Sequence, residues 1–361
     1  MENKKEELTY ILGAGASFES IPVVRTFLSR FQEFCKFLKN IAENNNYGFN
    51  LEERERLKHA WSVVLNFSET LKTYQSFDTY FKKLFHIEDL DSIKLTKKII
   101  HLFFLWEHTN SADKKPEDES KFWKQSLVDR RYDAFVAGLL KPFKGKTEMF
   151  SKTNFITWNY DINLLVSIKN YFDPKTNFKN YFEKIKLKIE NENIWEINNQ
   201  VTIINMNGFF YSQLFDEFNE FPRNISHQLM LKKIVPNYFQ NNFQDLDSDK
   251  ISFAWESDDD KTAQAAAAKI SSSKNIIVIG YTFPLYNRLL DYKYFNNEII
   301  SQRKLYLQDP NVDNIAIDLK DNFKINLDSN LVTRIYNCDS FFVPSDIIDP
   351  HKFQTGNYYF C

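Results

Sequence analysis

Three short segments carry residues suited to work on an anionic nucleotide. They are Gly13-Ala14-Gly15-Ala16-Ser17, Thr157-Trp158-Asn159-Tyr160-Asp161 and Gly280-Tyr281-Thr282-Phe283-Pro284. Glycines let a backbone turn sharply and come close to a phosphate, and amides at a helix start donate to anionic oxygens. An asparagine amide orients hydroxyls or a water without adding charge, which makes Asn159 a candidate for positioning. Asp161 suits either a helix cap or a catalytic acid. Each segment also has a plainer reading. Asn159 suits a turn in an Asn-rich chain, and Tyr281 and Phe283 suit packing beneath a sheet.

These segments need strands that end where they begin. The runs 8–12, 154–157, 201–206, 276–279, 304–308 and 331–336 are short, apolar and bounded by turn or polar residues, as buried parallel strands are. Glycine closes three of them, at Gly13, Gly208 and Gly280. Asp309 follows the run 304–308, where its carboxylate can accept from a sugar hydroxyl. Between the runs the pattern is helical. Val24, Phe27, Leu28, Phe31, Phe34, Cys35, Leu38 and Ile41 form one apolar face. Similar faces lie in 57–72, 91–108 and 122–140, so 24–150 reads as a large helical insertion. Asp161 is placed to cap a helix over 162–172. The four consecutive alanines in 261–270 predict a helix packed tightly on the sheet.

Strands alternating with helices predict an α/β fold with a doubly wound, mostly parallel, Rossmann-like sheet. The segments 173–200 and 215–260 are polar and read as surface elements or a small inserted lobe. The first loop lacks the third glycine of GxGxxG. The acid expected about twenty residues on would fall at Glu33-Phe34-Cys35-Lys36, inside a helix. That excludes an ordinary dinucleotide dehydrogenase.

A chain of 361 residues with 43% hydrophobic residues can bury a sizeable core, and its net charge of −2 does not suggest nucleic acid as a partner. The lysines of 141–152 read as a solvated loop. Cys35, Cys338 and Cys361 form no CxxC pair, which excludes a zinc ribbon and suits a reducing cytoplasm. His59, His86, His101 and His108 fall in helical stretches, and no HExxH occurs, so no metal is expected. The apolar run after Met1 to Glu7 is too short for a signal peptide. No stretch approaches a membrane span.

The GAG start with Ser17 and the later Ile21-Pro22 resembles the nucleotide loop of sirtuins. Thr157-Trp158-Asn159-Tyr160-Asp161 resembles the TxNYD segment of bacterial sirtuin-like NAD hydrolases, a group that includes defence-associated sirtuins. Gly280-Tyr281-Thr282-Phe283-Pro284 resembles their GYSF segment. Ser76-Phe77-Asp78-Thr79-Tyr80 falls where they often carry a short acidic-aromatic helix start. The matches spread over 8–340 in the family's order.

The resemblance implies a single sirtuin-like domain over 1–361 that cleaves NAD+ to nicotinamide and ADP-ribose. Gly13, Ala14, Gly15 and Ser17 would line the pyrophosphate and the nicotinamide ribose. Asn159 would be the catalytic asparagine, and Gly280, Tyr281 and Thr282 would meet the adenosine half. It also implies a homo-oligomer, a regulatory partner protein, and a role as the NAD-depleting effector of a bacterial anti-phage system. One position departs from the family: Asn207 of Asn205-Met206-Asn207-Gly208 stands where a His is usual. An asparagine cannot act as a base at neutral pH, whereas a histidine can. Three readings stay open. Asn207 suffices by orienting ribose hydroxyls; another group such as His227 or Asp161 supplies the base; or the protein binds NAD+ or ADP-ribose without cleaving it. The missing cysteine pairs and Asn207 both argue against a zinc-ribbon deacylase.

Overall fold

The computed structural model describes residues 7–44, 48–108, 129–141, 148–173, 175–176, 180–181, 194–208, 251, 253, 255–256, 261–327 and 331–345. All six runs expected as strands form strands. They are β1 (Glu7–Leu12), β4 (Lys152–Thr157), β6 (Val201–Asn205), β7 (Ser273–Ile279), β8 (Lys304–Gln308) and β9 (Val332–Ile335). A small hairpin pairs β2 (Leu140–Lys141) with β3 (Glu148–Met149). A seventh strand of the main sheet, β5 (Ile194–Ile197), is an addition to the sequence reading.

β5 lies in a segment read as polar surface. Its four residues alternate in burial, with Trp195 and Ile197 turned inward. It runs antiparallel to β6 through a tight turn at Asn198 and Asn199, whose φ angles are 51° and 54°. Gln200 N–H donates to the Ile197 carbonyl at 3.0 Å. Left-handed φ at both central residues suits the twist of a tight hairpin turn, here with three residues between the paired Ile197 and Val201, and asparagine tolerates it.

The sheet order is β5-β6-β4-β1-β7-β8-β9, and every pairing except β5 with β6 is parallel. Numbered along the chain, the six parallel strands therefore stand in the order 3-2-1-4-5-6. The chain builds outward on one side of β1, then crosses to build outward on the other. The reversal falls between β1 and β7.

Alternating strand residues feed two apolar layers. Leu8, Tyr10, Leu12, Phe155, Ile203 and Ile277 face one, and Ile11, Ile156, Ile204, Ile276, Val278 and Leu305 face the other. The first layer is built by α1 (Val24–Glu43), α2 (Leu51–Leu71), α3 (Phe77–His86), α4 (Leu90–His108), α5 (Arg130–Leu139) and α6 (Asn163–Phe172). Of the expected face over 24–41, Phe27, Phe31, Phe34, Cys35, Leu38 and Ile41 form the buried stripe of α1, Leu28 is half-buried, and Val24, at the first turn, is exposed. α2 begins six residues before the expected 57, because Asn50 and Glu53 form a reciprocal cap, each side chain accepting from the other's amide at 2.8 Å. Residues 122–128 lie outside the described residues, and α5 covers the rest of that expected helix. Every residue of α4 from Ile99 to His108 is buried. Phe103 at its centre meets Phe27, Phe31 and Phe34 with ring centroids 5.0–5.9 Å apart. His59 and His86 are exposed, whereas His101 and His108 are buried in α4.

The second layer holds α7 (Lys261–Ser272), α8 (Arg288–Tyr294), α9 (Asn297–Ile300) and α10 (Val312–Phe323). Ala263, Ala266 and Ile270 form the buried stripe of α7. The small side chains allow the helix to lie close to the strands, as the alanine run predicts. Among the described residues no helix is long and apolar enough to cross a membrane.

Ala266 is fully buried against the sheet and Ala268 is exposed. Ala266→Leu should lower unfolding free energy by about 1–3 kcal/mol through overpacking. Ala268→Leu should stay within about 0.5 kcal/mol of wild type. Chemical denaturation of the two variants checks this.

Candidate functional site

Five of the six parallel strands are extended past their ends by one more backbone bond to a neighbour. Gly13 N–H donates to Ile279 O (3.0 Å), Trp158 to Leu12 O (2.9 Å), Met206 to Thr157 O (2.8 Å), Gly280 to Gln308 O (3.0 Å) and Asp309 to Ile335 O (3.1 Å). The sheet thus fixes where each following residue emerges. Those residues include Asn159, Asn207 and Tyr281, which meet at one end of the sheet.

At the reversal point the loops after β1 and β7 touch backbone to backbone. Gly15 N–H donates to Gly280 O at 3.0 Å, and Ala16 N–H donates to Gly13 O at 2.9 Å. A methyl group on Gly13 would sit 2.5 Å from Gly280 O and Tyr281 Cα; one on Gly280 would sit 2.5 Å from Gly15 Cα. Gly280 also takes φ +60°, which side-chain-bearing residues rarely adopt. The glycines therefore serve close approach of two loops. The amides of Gly13 and Gly15 both have carbonyl partners, Ile279 O and Gly280 O. The turn after Gly13 is a single 3-10 turn, Ala14–Ser17.

Beside this crossing lies a cavity of about 500 Å³. Ten of the eleven residues expected at the site line it. They are Ala14, Gly15 and Ser17; Asn159, Asp161 and Asn207; and Gly280, Tyr281, Thr282 and Asp309. Gly13 is the exception and lies beneath the Gly280 loop.

The Asn159 side chain is held on the β1 loop. Its Nδ2 donates to Ser17 Oγ at 3.1 Å, and its backbone N–H donates to Thr157 Oγ1 at 3.1 Å. Ser17 Oγ also shares a hydrogen bond with the Tyr132 hydroxyl at 3.1 Å. Asn207 Nδ2 donates to the Trp158 carbonyl at 3.0 Å. Asp161 accepts the Asn163 amide at 2.9 Å, the first amide of α6, from one position before the N-cap residue Ile162. Burial raises its carboxyl above the ordinary range, against hydrogen bonds from Ser17 and Asn163. Asp309 accepts the Asn311 amide at 2.8 Å, and burial raises it too.

Three features of the cavity were missed by sequence reasoning. The first is Arg131, a buried cation on its wall. Its Nε donates to Asp129 at 2.9 Å, Nη2 to Ala16 O at 2.9 Å and Nη1 to Cys338 O at 3.0 Å. Its guanidinium also lies 4.2 Å from the Phe18 ring centre. Paired and bonded in this way, a buried charge locks geometry without leaving a bare cation. It ties α5, the β1 loop and the Cys338 segment together.

The second is Asp78 on α3. It accepts from Tyr160 OH at 3.1 Å and from Tyr286 OH at 3.4 Å, and burial pushes its carboxyl up to about 6. The segment 76–80 offered a signal, since an Asp within an aromatic helix start must be exposed or partnered.

The third lies beneath Tyr281. The Trp158 and Tyr281 rings stack at 5.3 Å with an 8° tilt. Tyr281 OH donates to Asp291 at 2.9 Å, as does Tyr294 OH at 2.6 Å, while Trp158 Nε1 donates to Tyr294 OH at 2.8 Å. Tyr281 thus both packs below the loop and lines the cavity. Phe283 holds a left-handed φ of 51°, fixed by packing on Phe295 and Phe323. Strain of this kind costs roughly 1–3 kcal/mol and persists only where packing over-determines it.

His227 lies outside the described residues. Among the described residues no group of three or more His, Cys, Asp or Glu converges as a metal site would. Comparison with protein-family models gives no match, and comparison with curated proteins gives none either.

Burial pushes Asp291 up to about 7 in the folded chain, whereas an unfolded aspartate titrates near 3.8. The folded state therefore holds the proton more tightly, and stability falls as pH rises from about 4 to about 7. Asp291→Asn should flatten that decline in melting temperature across the same window. Gly280→Ala should cost at least about 2 kcal/mol, from left-handed φ and the clash with Gly15; a melting temperature equal to wild type would contradict the crossing described above.

Proposed function

We propose that the cavity binds NAD+ and cleaves its nicotinamide–ribose bond, yielding nicotinamide and ADP-ribose. The observation that carries this reading is the fixed Asn159 amide, held by Ser17 beside Asn207, where the strand order reverses. In open α/β sheets ligands bind at that reversal. The order 3-2-1-4-5-6 supports a Rossmann-like sheet, and the joining of the three motif segments supports a sirtuin-type site on it. A cavity of about 500 Å³ suits a ligand of this class, since small-molecule sites span roughly 300–1,000 Å³.

Nicotinamide leaves as a neutral molecule from a cationic ring, so the transition state is a ribosyl cation and needs little acid catalysis. The site must exclude bulk water, hold one water and keep positive charge away. Phe18, Phe77, Phe104 and Tyr160 supply an aromatic wall. The charge of Arg131 is already matched by Asp129. The Asn159 amide can hold ribose hydroxyls or the attacking water. Gly280, Tyr281, Thr282 and Asp309 would receive the adenosine half, with Tyr281 offering its ring and backbone because its hydroxyl belongs to Asp291.

In this reading 1–361 is one sirtuin-like domain, with α1 to α5 as the helical insertion over 24–150. That layer offers a surface for self-assembly and for a regulatory partner that restrains the enzyme until it is triggered. The protein would act in the cytoplasm as the NAD-depleting effector of an anti-phage system, without a metal.

A second reading, binding of NAD+ or ADP-ribose without turnover, is favoured by one observation. Asn207 replaces the usual His, and its amide is committed to the Trp158 carbonyl. Incubation with NAD+, alone and with the product of an adjacent gene, separates the two. Nicotinamide release supports the hydrolase, and ligand-dependent thermal stabilisation without product supports the binding module. Asn159→Ala should lower the rate by about 100-fold or more; an unchanged rate would remove Asn159 from the chemistry.

A further inference from the structure

We propose that Asp78 is the base that accepts the proton of the attacking water, a role that rests on the NAD+-cleaving reading above. Among the described residues that line the cavity no histidine occurs, and the carboxylates are Asp78, Asp161 and Asp309. Asp161 and Asp309 each hold the backbone of their own turn, at 2.9 Å and 2.8 Å, and Asp161 also takes the Ser17 hydroxyl. Asp78 instead receives two side-chain hydroxyls, from Tyr160 and Tyr286. Tyr160 directly follows Asn159, so one short segment carries the water-positioning amide and a hydroxyl that aims the carboxylate.

An ordinary carboxylate is too weak a base to assist water well near neutral pH. Asp78 is 5% exposed and set beside Phe77 and Phe104 on the cavity wall. Burial raises its basicity, and the two phenols keep the ionised form accessible. The charged groups nearby are partnered elsewhere. Lys82 donates to the Tyr286 carbonyl and lies over the Trp255 ring, and Glu256 pairs with Lys97 at 2.8 Å. Asp291, which adds negative potential at Tyr286, is bound by Tyr281 and Tyr294. Tyr160 and Tyr286 stay neutral because burial holds their phenols above the ordinary range.

The step balances without a further reactant. The C1′–N1 bond breaks, and its electron pair passes to the ring nitrogen, which leaves as neutral nicotinamide. The water oxygen bonds to C1′, and its proton passes to the Asp78 carboxylate. That proton then goes to solvent, and ADP-ribose departs.

The test is kcat against pH with NAD+ as substrate. Wild type should show an acid limb, with the rate falling as Asp78 is protonated. Asp78→Asn should lose about 100-fold or more in kcat and lose the limb, while ADP-ribose still raises its melting temperature. A merely structural Asp78 would leave the limb in place. Tyr160→Phe removes a donor to the ionised carboxylate and should move the limb to higher pH; this variant decides the matter if Asp78→Asn does not fold. An active wild type whose limb is unmoved in Tyr160→Phe, or retained in Asp78→Asn, overturns the role of Asp78 and leaves NAD+ cleavage standing. A wild type that releases no nicotinamide with any partner overturns both.

Discussion

The contact between the loops after β1 and β7 is the constraint on which the rest of the site depends. Gly13 and Gly15 meet the Gly280 backbone at distances that no Cβ would permit. Their N–H groups are bound by Ile279 and Gly280 carbonyls, so the crossing extends the parallel ladder beyond the strands. Because β1 and β7 are where the strand order reverses, the helices that follow them diverge to opposite faces. A cleft opens between such helices. The closeness of the loops sets its floor.

Polar groups then join the helical layer to that floor. Ser17 meets Asn159 and Tyr132, and Arg131 binds Asp129, Ala16 and Cys338. Buried polar groups cost free energy unless they are bonded, so these contacts hold only when α5, β4 and the β1 loop are in register. Asp78 and Asp291 extend the same logic, since each is a buried carboxyl satisfied by tyrosine hydroxyls. The many aromatic side chains thus do two jobs: they fill the layer around Phe103, and they supply donors to buried acids.

Much of the fold was legible because its signals are local. Every parallel strand announces itself as a short apolar run, and the α7 alanines mark a close helix. The motif segments sit at strand ends, so ten of the eleven chosen residues reach one cavity. β5 was hidden because four alternating residues inside a polar stretch carry too little pattern, although Asn198 and Asn199 fit its turn. Arg131 and Asp291 were hidden for another reason: nothing in a helical sequence says which charged residue is turned inward and who will meet it.

The sequence by itself therefore determined the parallel strands and which residues stand at their ends, because each depends on residues adjacent in the chain. Only the tertiary structure decided what those residues do. Gly13 and Gly15, read as glycines that let the backbone approach a ligand, here let the β1 and β7 loops approach each other. Tyr281 gives its hydroxyl to Asp291. Asp78 gains its setting from Tyr160 and Tyr286, which lie 82 and 208 residues away along the chain. Hydrogen-bond partners and desolvation depend on distance in space, and no local pattern encodes them.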